Sequence, residues 1–229
     1  MTDEGAGDGS VIVGLRARVA DTALAEVLRR SGELGFLGSM PVEDQISHAL
    51  GFVAILEAEL REAPPTVIDL GSGGGVPGLV LIACWPESRV VLMDASERRC
   101  AFLDETLSSW GRTTRGEVVR GRAEELGRRD DLREYFGVVT SRSFGLPAAT
   151  AECGSAFLSP TGLMVVSEPP DADRTQRWPE EGLSMVALER LEAPADLELP
   201  FGYQVLRKVS GLEERYPRRV GIPVKRPLF

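Results

Sequence analysis

The chain has 229 residues, 43% of them hydrophobic and 6% aromatic, with 26 basic against 35 acidic side chains and a net charge of −9. A chain of this size buries a core without disulfides or structural metal, and its apolar content excludes an intrinsically disordered protein. The acidic balance repels nucleic acid and anionic membranes in bulk, so contact with either requires a local basic patch. Cys84, Cys100 and Cys153 are too scattered for a disulfide framework or a CxxC metal pair. His48 is the single histidine, which argues against a histidine-based metal site or a Ser-His-Asp triad, and no metal is expected. No apolar run reaches the ~18 residues of a membrane span. The Gly-rich, acidic start lacks the basic and apolar regions of a signal peptide, so a cytoplasmic protein is expected.

Residues 1–12 read as a disordered head and 13–63 as a helical extension. Leu15, Val19, Ala23, Val27 and Leu28 recur at helical spacing and predict one helix over Leu15–Arg30. Gly32, Gly35 and Gly38 break it, and a second helix starts after Ser39 with Pro41 in its first turn. Ile46, Leu50, Val53, Leu56 and Leu60 form its apolar face, and Pro64-Pro65 ends it. From residue 64 to 229 the pattern changes to a ligand-binding domain with a basic tail. Short β-prone runs at Thr66–Leu70, Arg89–Asp94, Glu117–Arg120, Phe136–Thr140 and Gly162–Val166 are separated by helix-compatible segments Leu79–Cys84, Glu97–Trp110 and Ala148–Leu158. This alternation predicts a doubly wound α/β fold with a mainly parallel sheet. Met185–Leu191 and Tyr203–Val209 follow without a convincing helix between them, which suits an antiparallel hairpin at the sheet edge and brings the sheet to seven strands.

The strongest local signal is Asp69-Leu70-Gly71-Ser72-Gly73-Gly74-Gly75-Val76-Pro77-Gly78. Glycines directly after a strand permit positive φ and let a ligand approach the backbone. Asp94 ends the next strand, where its carboxylate can accept from both hydroxyls of an adenosine ribose. Gly73, Gly75 and Gly78 also satisfy a G-x-G-x-x-G dinucleotide fingerprint, so a nicotinamide cofactor is an alternative. Asp69 before the first glycine, the lack of a spacer, and the final hairpin favour S-adenosylmethionine.

Four blocks carry a family resemblance: Gly71–Gly78 with its Pro-Gly ending, Arg98-Arg99-Cys100-Ala101-Phe102-Leu103, Gly121-Arg122-Ala123-Glu124-Glu125, and Thr140-Ser141-Arg142-Ser143-Phe144. From Val42 onward the chain resembles the bacterial 16S ribosomal-RNA guanine-N7 methyltransferases, also called glucose-inhibited division protein B. The resemblance implies a class I methyltransferase, Rossmann-like, acting on ribosomal RNA or the small subunit. It implies cofactor contacts at Gly71, Val76, Ala123, Glu124 and Arg142; Asp69, Ser72, Gly73, Gly75, Gly78, Asp94, Ala95 and Arg122 complete the expected donor site. Two positions depart from the family. Ser47-His48-Ala49-Leu50 is followed by Gly51 where members carry an acid, and the fifth strand ends in Ser167-Glu168-Pro169-Pro170 where members carry Lys-Gly. A methyltransferase acting on a small molecule or protein is the alternative those departures leave.

Guanine N7 offers an in-plane lone pair and needs no deprotonation, so a general base is unnecessary. No Asn-Pro-Pro-aromatic run, the mark of many amine-directed enzymes, follows the fourth strand. Arg142 is the expected catalytic residue, holding guanine O6 or a phosphate, with a loop-pinning ion pair to Asp69 or Glu168 as the structural alternative. His48 and Glu168 are candidates at the substrate mouth. The tail sets Arg207, Lys208, Arg215, Arg218, Arg219, Lys225 and Arg226 against Glu213 and Glu214. Arg218 and Arg219 are candidate RNA contacts, with a solvated terminus as the alternative.

Overall fold

The structure is a computed structural model that describes residues 10–20, 22–111, 115–194 and 197–229. The expected disordered head falls, as far as residue 9, outside the described residues; its last three positions, 10–12, instead open a helix in which Ile12 is buried. Five parallel strands, β1 (Thr66–Leu70), β2 (Arg89–Asp94), β3 (Gly116–Arg120), β4 (Phe136–Ser141) and β5 (Leu158–Glu168), are joined by α4 (Gly78–Cys84), α5 (Glu97–Trp110), α6 (Ala123–Leu126) and α7 (Pro147–Ser155). After β5 come α8 (Arg174–Arg177), α9 (Glu180–Ser184), β6 (Leu188–Leu191), β7 (Gly202–Lys208) and α10 (Ile222–Lys225). The sheet order is β3-β2-β1-β4-β5-β7-β6, with β7 antiparallel to both neighbours. The reversal between β1 and β4 opens a crevice at the carboxyl ends of the strands, where open α/β sheets bind ligands.

The sheet is buried on both faces. Val67, Val90, Leu92, Val138, Val165 and Val205 point into one core, shared with the helices before the sheet and with α4 and α5. Their neighbours Ile68, Val91, Met93, Val139, Met164, Val166 and Leu206 point into the other, shared with α6, α7 and α9. Near-continuous apolar strands result from covering both faces, since alternate side chains serve opposite cores.

Two expectations need correction. The helix predicted over Leu15–Arg30 is two helices, α1 (Ser10–Arg16) and α2 (Thr22–Glu33), with a 3-10 turn at Ala17–Val19 between them. Leu15 and Val19 are buried as expected, but beyond the break Leu24 and Leu28 are the buried pair and Ala23 is exposed. The strand expected from Met185 begins only at Leu188; Met185 follows α9. The helix before the sheet, α3 (Val42–Leu60), starts one residue after Pro41 and is buried on every side from Ser47 to Leu56.

Candidate active site

Asp69 sits at the carboxyl end of β1 with 1% of its surface exposed. Its Oδ2 accepts from the Gly78 backbone N–H at 3.1 Å and its Oδ1 from the Thr140 hydroxyl at 2.9 Å. The carboxylate thereby ties the far end of the glycine loop to β4. Burial pushes its acid up to about 6, against the opposing pull of the Thr140, Ser72 and Gly78 hydrogen bonds and the Arg142 charge. The Ser72 hydroxyl donates to the Asp69 carbonyl at 2.9 Å. Gly71 has φ +73°, and a Cβ there would come within 2.8 Å of the Phe144 ring, so only glycine fits this turn. Asp94 closes β2: Oδ2 accepts from Gly73 N–H at 3.0 Å and Oδ1 from Ser96 N–H at 2.8 Å, with the Arg99 guanidinium 3.6 Å from Oδ2.

Gly71, Ser72, Gly73 and Asp94 border two cavities that meet at Gly71, Arg99 and Ser143, whereas Asp69 and Gly78 line neither and brace the loop from behind. The first, of about 240 Å³, is lined by Asp94, Ala95, Arg122, Ala123, Glu124 and Phe144 among others, with Val224 from α10 on its far side. The second, of about 140 Å³, lies between the glycine loop (Gly71 to Gly74 and Val76), the segment Phe36-Leu37-Gly38 and Arg142. An elongated nucleoside cofactor fits this arrangement. Asp94 keeps lone pairs beyond its two backbone bonds, as an ionised carboxyl accepts about four. Arg142 reaches the opposite end with its Nη1 buried and unpartnered. Glu124 borders the first cavity while its Oε1 accepts from Gly221 N–H at 2.8 Å.

Residues 41–176 match the family described as rRNA small subunit methyltransferase G. The chain belongs to that family. A relative named ribosomal RNA small subunit methyltransferase G from Pelotomaculum thermopropionicum is 32% identical over 81% of this chain and 79% of its own length. One from Thermotoga sp. strain RQ2 is 33% identical over 77% and 78%. The fold is also that of an O-methyltransferase from Bacillus cereus solved in complex with SAH, at TM-score 0.54 and 15% identity over 83% of this chain and 91% of that one. Family membership makes the enzyme a methyltransferase with S-adenosylmethionine as its donor and sets aside the nicotinamide alternative.

The positions where this chain departs from the resemblance now have physical accounts. A Cβ on Gly51 would lie 2.1 Å from the Tyr203 hydroxyl, which donates to the His48 carbonyl at 2.6 Å. Tyr203 occupies the space that an acid at Gly51 would need. His48 is 7% exposed and stacks on Phe201 with ring centroids 4.5 Å apart. Burial and the Arg142 charge push its imidazole down to about 4, so it is neutral at pH 7, and both ring nitrogens lack partners. Glu168 is 6% exposed and forms a two-toothed ion pair with Arg177, one bond at 3.2 Å. It lines neither cavity.

Arg142 pairs with neither Asp69 nor Glu168; its Nη2 donates to Gln45 Oε1. Arg218 turns inward and grips Glu152, which is wholly buried, through Nε at 3.0 Å and Nη2 at 2.6 Å. Arg128 and Arg133 donate to backbone carbonyls between Leu212 and Pro217, so this stretch is fastened rather than loose. Arg219 alone of the two tail candidates is exposed. Val224, Phe36 and Leu37 carried no signal in the sequence, because apolar residues outside a motif look alike until packing brings them to a crevice. Among the described residues no group of three His, Cys, Asp or Glu side chains could hold a metal, and no helix is long and apolar enough to cross a membrane.

Proposed function

We propose that this enzyme transfers the methyl group of S-adenosylmethionine to N7 of a guanine in small-subunit ribosomal RNA. Bound in the crevice, the donor supplies a sulfonium carbon already activated for in-line displacement. The chain supplies orientation. Asp69 fixes the glycine loop through Gly78 and Thr140, and Ser72 braces it from within. Gly71, Gly73 and Val76 form its wall, while Gly75 faces Leu79 and Leu103 behind it; Asp94 and Ala95 take the ribose, and Arg122, Ala123 and Glu124 the adenine. The names of the relatives support ribosomal RNA as the substrate, and the four blocks around the crevice support the position of the donor.

The observation that carries the role of Arg142 is a charge with no ion-pair partner among the described residues, felt by Asp69 only at a distance. Arg142 is partly buried and keeps Nη1 free of any bond. A guanidinium so placed holds guanine O6 or an adjacent phosphate and turns N7 toward the methyl group. No group has to remove a proton from N7, which agrees with the neutral, walled-in His48. Arg219 remains available for RNA phosphate, whereas Glu168 and Arg218 serve internal pairs. Losing a charged hydrogen bond costs about 1.5–3 kcal/mol, so Arg142→Ala is expected to lose at least ~10-fold in methylation of small-subunit particles. Wild-type turnover in a folded Arg142→Ala protein would remove this assignment, and incorporation of label only into metabolites or protein would favour the other substrate classes.

A further inference from the structure

Arg142, Arg177 and Arg218 are all half-buried, and the first is held differently from the other two. Arg177 and Arg218 each meet a buried carboxylate, Glu168 and Glu152, which cancels their charge. Arg142 meets a neutral amide. Gln45 is 1% exposed, and its Nε2 donates to the carbonyls of Gly38 at 3.4 Å and Met40 at 3.2 Å. Its orientation follows from the inventory of donors: a guanidinium can only donate and a carbonyl can only accept. Gln45 must therefore show its oxygen to Arg142 and its nitrogen to the turn.

The same side chain fastens the chamber in which Arg142 works. Phe36, Leu37 and Gly38 line that chamber opposite the glycine loop. On one flank the Ser31 hydroxyl donates to the Gly74 carbonyl at 2.9 Å, and on the other Gln45 holds Gly38 and Met40. Among the described residues, Gln45 is thus the one side chain that bonds both to this wall and to the guanidinium across from the loop.

We propose that Gln45 is a positioning residue for methyl transfer: it fixes the Arg142 guanidinium against the chamber wall through a neutral acceptor, leaving the positive charge directed at an anionic or carbonyl group of the substrate. The inference rests on the role of Arg142 given above. A carboxylate at this place would hold the arginine equally well and cancel the charge, as Glu168 and Glu152 do elsewhere in the molecule.

The test is a double-mutant cycle on kcat/KM for small ribosomal subunits lacking the modification, with labelled donor and enzyme in excess. Gln45→Met keeps length and removes the amide; it is expected to lose ~10-fold beside Arg142 and less than ~2-fold in an Arg142→Ala background. Gln45→Glu keeps the length and the contact to Arg142 but supplies a counter-charge and turns an acceptor toward the Gly38 and Met40 carbonyls; it is expected to lose at least a similar factor, mainly through a raised KM for the subunit. Equal losses for Gln45→Met in both backgrounds, with Arg142→Ala itself impaired, would show fold support only and overturn this inference alone. Wild-type activity in Gln45→Glu would overturn the requirement for a neutral acceptor. Full activity of Arg142→Ala would overturn the reading beneath it as well. Where Gln45→Met does not fold, the cycle is run with Gln45→Asn, which keeps the amide but shortens its reach to Arg142.

Discussion

Burial acts on two titratable side chains near the crevice, and their effects on stability run in opposite directions with pH. His48 is lowered from 6.5 to about 4, so the unfolded chain takes up a proton that the folded one refuses. Its contribution is present above pH 6.5 and is lost as pH falls toward 4. Asp69 is raised from 3.8 to about 6, so its ionisation costs stability above pH 6, and that cost is relieved as pH falls toward 4. Each shift corresponds to about 3 kcal/mol, and the two nearly offset each other in the intact protein. Single substitutions should uncouple them. Relative to wild type, His48→Phe is expected to gain stability as pH is lowered from about 7 to about 5, and Asp69→Asn to lose it; urea unfolding at both pH values checks the signs. A parallel response of the two variants would contradict this account. At this scale the sequence was informative where chemistry is local, as at Asp69, Gly71 and Asp94. It was silent where a distant residue decides: nothing in Ser47-His48-Ala49-Leu50-Gly51 announces that Tyr203 will fill the space beside Gly51.

Among the elements, the five parallel strands were legible because apolar, β-branched runs bounded by turn residues have few other uses. The break between α1 and α2 was not. No glycine or proline marks Ala17–Val19, and the apolar spacing runs through it with a one-residue change of phase, from Val19 to Leu24 and Leu28. The tail was legible as basic but not as structured, since a charge run does not name its partner. Glu152 is that partner, inside α7 and shielded from water, and it separates two neighbouring arginines by role. Arg218→Ala strands the buried Glu152 carboxylate and is expected to destabilise by about 3–5 kcal/mol. Arg219→Ala, next along the chain but exposed, is expected to change stability by no more than about 0.5 kcal/mol. Denaturant midpoints of the two variants should therefore differ widely, and similar midpoints would mean that the Glu152 pair does not anchor the tail.

For the whole molecule, net charge and local charge point opposite ways. A chain of −9 repels RNA at long range. Yet Arg219, Lys225 and Arg226 are all exposed without an ion-pair partner among the described residues, and Val224, next to Lys225, lines the crevice. Three phosphate contacts to single-stranded RNA give a slope of log affinity on log salt of about −2. Replacing Lys225 and Arg226 together by Gln is expected to flatten that slope by roughly two thirds, measured by equilibrium binding to small-subunit RNA. An unchanged slope would move the RNA to another face. The crevice itself draws on chain far outside the alternating strand–helix unit: Phe36, Leu37 and Gly38 close one end, and Val224 closes the other. A fragment trimmed to the glycine loop and its strands would preserve every motif by which the donor site is recognised, yet would be open at both ends. Excision or transplantation of this catalytic unit therefore has to carry both flanks, because recognisability resides in the middle of the chain and enclosure at its margins.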